Sequence, residues 1–328
     1  MKNIKNELIA TRPWLQRIIN KEGCSIVVGA DLDGYLSALL LTQQGCIVEG
    51  VYNNRQLALK QGTYGKDHIF IDFDVARQNV ISVGHHITSL SQKNNLSNLY
   101  HPQGLQLNEI YDVYRKDKDA KKSFSYKYPL STVLYLMYLL DYDLMEMNKW
   151  QRFLIFQADG VLNNNSRYPH SIQHWIDEVF GDFLTLPIKS INCEELRHLT
   201  IKYREMRRQC IPNKSNGQGK GTEKIKVIET QNNLLSFPQA KFIQEIGKQL
   251  GWFYVEDQWN CLANMELFKF DSDTFSQDTP REPGFGSVKK FNELKSNPET
   301  LISAIISDTT GKISYTYSNE ETIAAAFG

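Results

Sequence analysis

Short apolar runs, separated by longer segments of mixed character, dominate the first half of the chain. Four of them have the length and composition of buried strands: residues 25–28, 47–51, 69–71 and 80–83. Helices are predicted over residues 35–43 and over residues 4–20, the latter with an interruption near Pro13. Strands that alternate with helices predict an α/β fold built on a parallel sheet.

The middle of the chain is predicted to be helical. Residues 129–140 begin with a proline and are apolar nearly all round, which indicates a central buried helix. Residues 193–208 are predicted to form a long helix with a basic face. The stretch rich in Gly, Ser and Lys that follows, residues 211–224, is the clearest linker in the sequence.

The linker divides the chain into two predicted domains, which is the default organisation for 328 residues. Residues 1–210 form the larger domain, with the parallel sheet, and residues 225–328 form a smaller α/β domain. Within the smaller domain a strand, a helix and a second strand are expected: residues 225–228, 237–249 and 252–255. Its clearest signal is a hairpin, formed by residues 301–307 and 312–317.

The composition of the chain does not indicate a particular class of binding partner. Lysine plus arginine equals aspartate plus glutamate, 37 each, so no global field attracts nucleic acid and any basic groove must be local. Five scattered cysteines without a CxxC pair argue against a disulfide framework and against a zinc ribbon. The N-terminal residues lack a signal-type apolar core, and no window approaches a membrane span. A cytoplasmic protein is therefore expected.

Acidic and histidine side chains follow the apolar runs where parallel strands are expected to end. Three pairs stand directly after three of the runs: Asp31 and Asp33, Asp72 and Asp74, and His85 and His86. A further apolar segment, residues 153–158, is expected to deliver Asp159 from another strand end. Loops at the carboxyl ends of strands carry the binding groups of open α/β sheets, so these side chains are expected to converge on one cleft.

Carboxylates and imidazoles without thiolates favour Mn²⁺ or Mg²⁺ over a closed structural zinc site. Asp74 could replace Asp72 as a ligand, but it lies two residues further from the strand, which favours Asp72. Two other interpretations stay open. The acidic pair could form a solvated turn or cap a helix through Asp33, and His85 and His86 could be a strand-end pair bonded to backbone.

These motifs resemble those of the DHH phosphoesterase superfamily, which includes single-strand exonucleases, oligoribonucleases, cyclic dinucleotide phosphodiesterases and family II inorganic pyrophosphatases. The first to fourth motifs are matched, in order, by Asp31-Leu32-Asp33-Gly34, by Asp72, by Gly84-His85-His86 and by Asp159. Residues 311–318 and 321–328 resemble the approach to the Gly-rich loop of the DHHA1-like second domain in that superfamily, with Gly328 as the first glycine of the loop.

The resemblance implies metal-dependent hydrolysis of phosphodiester bonds in short or single-stranded nucleic acid or in small nucleotides. It implies one or two Mn²⁺ ions, with Mg²⁺ as the other option, and these ligands: Asp31, Asp33, Asp72, His85 and Asp159. Asp72 would bridge the ions and His86 would face the scissile phosphate, so Asp72 and His86 are the implied catalytic residues.

Two positions depart from the family pattern. The signature aspartate of the third motif is replaced by Gly84, and a histidine that often precedes the first motif is replaced by Val27. One ligand of a two-metal site is therefore expected to be missing. The expected consequence is a weaker site, a single-metal site or a site completed by another residue.

Substrate binding is expected to involve His86 and a loop that contains Arg281 and Lys289. Gly284 and Gly286 in that loop would let backbone N–H groups approach an anion, although a flexible surface loop is the alternative interpretation. Basic residues around the linker could track a nucleic-acid backbone or form a solvated face. They are Lys202, Arg204, Arg207, Arg208, Lys214, Lys220 and Lys224.

Two rival functions fit parts of the pattern. Asp31-Leu32-Asp33-Gly34 also resembles the start of haloacid-dehalogenase phosphatases, in which the first aspartate is a nucleophile, but Tyr35 stands where that family has threonine. Alternatively, the chain is a degenerate member of the DHH superfamily that binds nucleic acid, a nucleotide or a protein partner without turnover. The expected partner is a short oligonucleotide or small nucleotide, with no membrane, and a homodimer stays open.

Overall fold

The structure is a computed structural model that describes these residues: 4–53, 56–63, 68–86, 99–110, 128–210, 229–231, 234–236, 240–252, 265–276, 301–306 and 312–327. The strands, in chain order, are β1 (Ser25–Gly29), β2 (Ile47–Tyr52), β3 (Gln56–Lys60), β4 (Ile69–Ile71), β5 (Ile81–Gly84), β6 (Leu105–Gln106), β7 (Glu229–Gln231), β8 (Leu234–Ser236), β9 (Met265–Lys269), β10 (Asp271–Ser276), β11 (Leu301–Ile306) and β12 (Lys312–Tyr317).

Seven strands form the largest sheet, in the order β6-β5-β4-β1-β2-β3-β9. Three neighbouring pairs of strands are parallel: β1 with β4, β4 with β5, and β5 with β6. Ile69 lies opposite both Ile26 and Ile81. Strands inside a parallel sheet are buried on both faces and appear in the sequence as continuous apolar runs. This is why β1, β4 and β5 lie within one residue of the predicted positions, and the predicted α/β fold class is confirmed.

The other edge of this sheet is antiparallel and was not expected. β3 pairs with β2 on one side and with β9 on the other, with Leu57 opposite Phe268 and Leu59 opposite Glu266. β9 comes from the segment expected to build the smaller domain. The pairing of residues some 200 positions apart explains why no local pattern indicated it.

Two smaller sheets complete the described strands. β12 lies between β10 and β11, and both pairings are antiparallel. The strands of the predicted hairpin are therefore confirmed as β11 and β12, whereas the turn between them, residues 307–311, lies outside the described residues. β7 and β8 form a two-stranded antiparallel sheet. The expected strands at residues 225–228 and 253–255 also lie outside the described part of the chain.

The described α-helices are Ile4–Thr11, Pro13–Ile19, Leu32–Thr42, Leu107–Ile110, Thr132–Leu139, Lys149–Gln157, Val161–Arg167, Pro169–Trp175, Asp182–Lys189, Cys193–Cys210, Ala240–Leu250 and Glu320–Phe327. Short 3₁₀ and π segments add Ala158–Gly160 and Ile176–Phe180. None of the described helices combines the length and apolar character needed to cross a membrane.

The segment before Asp159 is a helix, so the strand expected there was wrong. The helix Lys149–Gln157 begins with a reciprocal capping box, in which the Asn148 side chain accepts from Gln151 N at 3.0 Å and the Gln151 side chain accepts from Asn148 N at 3.0 Å. An apolar run as short as residues 153–156 fits a buried strand and a buried helix equally well. The capping residues that precede the run decide the outcome.

Backbone contacts divide the chain into two compact units, each drawn from three stretches. The first unit, mostly helical, comprises Met1–Cys24, Ala30–Val48 and Pro129–Ala263. The second unit, which contains most of the strands, comprises Ser25–Gly29, Glu49–Tyr128 and Asn264–Gly328. The predicted linker, residues 211–224, lies outside the described residues, and the proposed division of the chain at that linker stays a prediction.

Each unit has its own buried apolar residues. In the first unit, seven of the eight residues of the helix Thr132–Leu139 are buried, which confirms the central buried helix expected there. In the second unit, an apolar cluster includes Val27, Phe70, Phe268 and Phe327. Both sets of core residues fix the backbone that carries the acidic and histidine side chains.

Candidate metal centre

The first acidic pair follows β1 and divides into two distinct roles. Asp31 has an extended backbone and caps the helix Leu32–Thr42, with its Oδ1 accepting from Gly34 N at 3.1 Å. Asp33 lies inside the first turn of that helix and is buried. The capping role considered for Asp33 at its own helix therefore belongs to Asp31.

Asp33 is held by the first turn of a different helix, Thr132–Leu139. Its Oδ2 accepts from Thr132 N at 2.6 Å, and its Oδ1 accepts from Val133 N at 2.9 Å. Helix N-terminal N–H groups interact favourably with a carboxylate, so this contact fixes the position of the Asp33 side chain. A carboxylate offers about four lone-pair directions, so these two hydrogen bonds do not by themselves prevent coordination of a cation.

Asp72 comes directly after β4 and has a left-handed backbone, with φ of 65°. Its side chain lies close to the last residue of β1: a Cβ atom placed on Gly29 would be 2.9 Å from Asp72 Oδ2. The absence of a side chain at Gly29 thus leaves the space that the Asp72 carboxylate occupies.

The two histidines follow β5 with their rings stacked, at a centroid separation of 4.6 Å and an interplanar angle of 22°. His85 Nδ1 lies 3.4 Å from Asp72 Oδ1, and His86 Nδ1 lies 3.0 Å from Asp74 Oδ2. The backbone of His85 is fixed separately, since its carbonyl accepts from Asn108 Nδ2 at 2.6 Å. Both rings therefore lie against carboxylates, rather than being held only by the backbone.

Asp159 lies in the 3₁₀ turn Ala158–Gly160 and also has a left-handed backbone, with φ of 48°. Its carbonyl accepts from Asn164 Nδ2 at 3.0 Å, and the same amide donates to the carbonyl of Pro129 at 2.8 Å. The turn that presents Asp159 is thus tied to the residues just before the buried helix Thr132–Leu139.

Four of the predicted ligands come together. One ligand atom from each of Asp33, Asp72, His85 and Asp159 lies within 4.8 Å of the other three. Ligands 2.0–2.6 Å from one ion are separated by no more than about 4–5 Å, so these atoms fit around a single cation. Among the described residues, the fifth predicted ligand, Asp31, does not belong to this group.

The charges of the donor set are compatible with a bound cation. Asp33 and Asp72 are buried, and carboxylates that are buried close together repel one another unless a positive charge or a proton intervenes. Burial raises the pKa of Tyr35 well above its usual value, and the charge of Asp31 raises it further, so this phenol adds no negative charge. Three carboxylates and one imidazole are ligands that suit Mn²⁺ or Mg²⁺.

Besides the four grouped ligands, other residues were predicted for this site, and two residues that were not predicted contact the histidines. Arg281 and Lys289, expected to bind substrate, lie outside the described residues. Among the described residues, His86 is not part of the group of four, and its expected place beside the substrate stays a prediction. Asp74 and Asn108 contact the histidines and were not assigned such roles. The spacing of Asp72 and Asp74, which repeats that of Asp31 and Asp33, was the available signal.

The chain has no significant match to a protein-family model, to a curated protein or to a solved structure. Its assignment to the DHH phosphoesterases therefore stays a prediction from the four short motifs.

Proposed function

We propose that the protein is a metal-dependent phosphoesterase that hydrolyses phosphodiester bonds in short or single-stranded nucleic acid or in small nucleotides. The observation that carries the proposal is the convergence of Asp33, Asp72, His85 and Asp159 within 4.8 Å. This donor set favours Mn²⁺, with Mg²⁺ as the alternative ion. The substrate class rests on the resemblance of the motifs to those of DHH phosphoesterases.

The backbone of two ligands supports a functional role for the cluster. Asp72 and Asp159 are both left-handed, a conformation that costs non-glycine residues about 1–3 kcal/mol, although aspartate tolerates it better than most. Such conformations persist where the surrounding structure imposes them, and they concentrate at binding and catalytic sites. Two of them within one group of four ligands favour a selected binding geometry.

When bound, the ion would lower the pKa of a coordinated water and neutralise charge on the phosphoryl oxygens. The residues of the chain would supply the remaining functions. Asp33 and Asp72 would hold the ion from buried positions, and His85 and Asp159 would complete its coordination from half-buried ones. His86, whose side chain is 31% exposed, would face the scissile phosphate.

A binding function without turnover is the second candidate. Val27 is fully buried in the apolar cluster, and the Asp31 carboxylate accepts the Gly34 N–H, so neither residue contributes to the group of four. Two-metal phosphoesterases use a second set of ligands for in-line displacement. If turnover in this protein requires that second ion, a site limited to one ion would bind a phosphate-bearing ligand without hydrolysing it.

The test is Mn²⁺-dependent hydrolysis of bis(p-nitrophenyl) phosphate and of a 5′-labelled single-stranded oligonucleotide by wild-type protein. Asp72→Asn should abolish both activities and weaken Mn²⁺ binding in calorimetry, because it removes a ligand charge from the cluster. Asp182→Asn is the matched control, since Asp182 is an exposed carboxylate at the start of another helix. It should leave both activities unchanged.

Three results separate the competing functions. Hydrolysis that survives Asp72→Asn but is lost in Asp31→Asn would favour the haloacid-dehalogenase mechanism, with Asp31 as the nucleophile. Oligonucleotide binding without cleavage at any enzyme concentration would favour the binding module. Absence of Mn²⁺ and Mg²⁺ binding by the wild-type protein would contradict the proposed metal site altogether.

A further inference from the structure

We propose that Asp74 is a positioning residue that fixes the ring of His86 for its contact with substrate, an inference that rests on the proposed function for the role of His86. Asp74 is completely buried, whereas the His86 side chain is 31% exposed. The pair therefore joins a carboxylate in the interior to an imidazole that solvent and substrate can reach.

The contacts between the two residues define the orientation of the ring. Asp74 Oδ2 accepts from His86 N at 3.1 Å and lies 3.0 Å from His86 Nδ1. Because an ionised carboxylate can only accept, this geometry requires the proton on Nδ1. The second ring nitrogen, Nε2, then carries a lone pair and no proton. A carboxylate that fixes the tautomer of a functional histidine in this way is a recurrent arrangement.

The backbone on both sides of Asp74 is tied to β5. Phe73 N donates to the Val83 carbonyl at 3.0 Å, and Val75 N donates to Ser82 Oγ at 3.1 Å. Ser82 is itself held by Gln106 Nε2, which donates to its hydroxyl at 3.0 Å. The backbone that presents the carboxylate is therefore hydrogen-bonded on both sides to the strand that precedes His86.

The buried carboxylate has no evident structural purpose apart from His86. Its Oδ1 atom is buried and has no hydrogen-bond partner among the described residues. A buried polar atom without a partner is destabilising, and a buried charge is more so. The buried carboxylate is therefore better explained by the orientation of His86 than by stability.

Gly84 explains how the carboxylate fits. A Cβ atom at Gly84 would lie 2.4 Å from Cγ, Oδ1 and Oδ2 of Asp74, so the two positions compete for one volume. The motif that this stretch resembles has an aspartate at the position of Gly84. In this chain the carboxylate reaches the same space from the neighbouring segment, and the glycine is the consequence. Positions 74 and 84 should therefore be exchangeable as a pair but not singly.

The experiment compares the wild-type protein with four variants: Asp74→Asn, Asp74→Gly, Gly84→Asp and the double exchange Asp74→Gly/Gly84→Asp. Mn²⁺-dependent hydrolysis of bis(p-nitrophenyl) phosphate gives kcat and KM, calorimetry gives the Mn²⁺ affinity, and thermal unfolding monitors the fold. In metal-free protein, long-range ¹H–¹⁵N spectra of the imidazoles report the tautomer of His86 without reference to activity.

Asp74→Asn should lower kcat by about 10–100-fold, the usual effect of losing a partner that orients a functional group. Its Mn²⁺ affinity and KM should stay within about twofold of the wild-type values, because Asp74 is not in the group of four ligands. The spectra should show that this substitution converts His86 from the Nδ1-protonated tautomer to a mixture of both tautomers. The kcat of the double exchange should be at least tenfold higher than that of Asp74→Gly. Gly84→Asp alone should be inactive or unstable.

Wild-type kcat and an unchanged His86 tautomer in folded Asp74→Asn would overturn the inference. So would a double exchange that folds but is no more active than Asp74→Gly. If the wild-type protein shows no hydrolysis, the proposed function has failed, and the tautomer spectra still decide whether Asp74 fixes the His86 ring.

Discussion

Substitution of Gly29 by alanine should weaken metal binding without any change to a ligand. A Cβ atom at Gly29 would lie 2.9 Å from Asp72 Oδ2 and 3.3 Å from Asp72 Cβ, whereas ordinary contacts begin at 3.4 Å. The Asp72 carboxylate would therefore have to move by about 0.5 Å, more than the ~0.2 Å that metal–ligand distances tolerate. Gly29 does not have a left-handed backbone, so alanine introduces no conformational strain of its own.

The expected loss of Mn²⁺ affinity for Gly29→Ala is about 10-fold or more, with a stability cost of about 1–3 kcal/mol for the extra methyl group. Calorimetric titration and urea denaturation measure the two effects. Gly50→Ala is the control, because its Cβ would lie 2.7 Å from Leu59 Cδ2 and 2.8 Å from the backbone oxygen of Ala58 in the same sheet. It should cost at least as much stability and leave Mn²⁺ affinity unchanged. Wild-type affinity in Gly29→Ala, or an equal loss of affinity in both variants, would show that Gly29 does not set the position of Asp72.

Three further predictions concern the surrounding fold. Val27→His should destabilise the protein by at least about 3 kcal/mol in urea denaturation without raising Mn²⁺ affinity, because Val27 is fully buried among apolar residues; tighter Mn²⁺ binding would contradict this. Asn148→Ala should cost about 1 kcal/mol through loss of the capping box, and unchanged stability would show that the box is dispensable. Burial raises the pKa of Tyr203 from 10.0 to about 12, so the folded protein holds this proton more tightly than the unfolded chain. The resulting contribution to the free energy of unfolding is complete below pH 10 and should disappear as pH rises through about 12. Urea denaturation at a series of pH values should show a smaller loss of stability for Tyr203→Phe than for the wild-type protein.

The elements that could be predicted from the sequence are those whose local pattern has one physical explanation. β1 and β4 are apolar throughout because both faces of a parallel sheet are covered, and their ends could therefore be located to within a residue. The strand expected before Asp159 could not be recognised as wrong from its apolar residues alone. The decisive signal, Asn148 followed three residues later by Gln151, lies upstream of the run.

The antiparallel edge of the seven-stranded sheet could not be predicted from the sequence for a different reason. β3 and β9 are short strands of five residues each, and the pairing of Leu57 with Phe268 joins distant parts of the chain. Nothing in either segment identifies its partner. Pairing of this kind is decided by the tertiary fold, which a linear pattern of hydrophobic positions does not contain.

In the candidate site, the positions of the ligands could be predicted but not their conformations. Residues at strand ends are expected to share an edge of the sheet, and this places Asp33, Asp72 and His85 together. Sequence could not decide which carboxylate of the first pair turns inward, since Asp31 and Asp33 differ only in the backbone that carries them. The left-handed backbone of Asp72, and the space beside Gly29 that its carboxylate occupies, likewise could not be predicted from the sequence.

Anomalous diffraction from crystals soaked in Mn²⁺ would show whether the four grouped residues bind the ion. An anomalous peak is expected about 2.0–2.6 Å from ligand atoms of Asp33, Asp72, His85 and Asp159, the distance range of first-row and alkaline-earth cations on oxygen and nitrogen ligands. The peak should disappear in crystals of Asp72→Asn and persist in crystals of Asp182→Asn. A well-ordered crystal with no peak at these four residues, or with Mn²⁺ bound only elsewhere, would contradict the account.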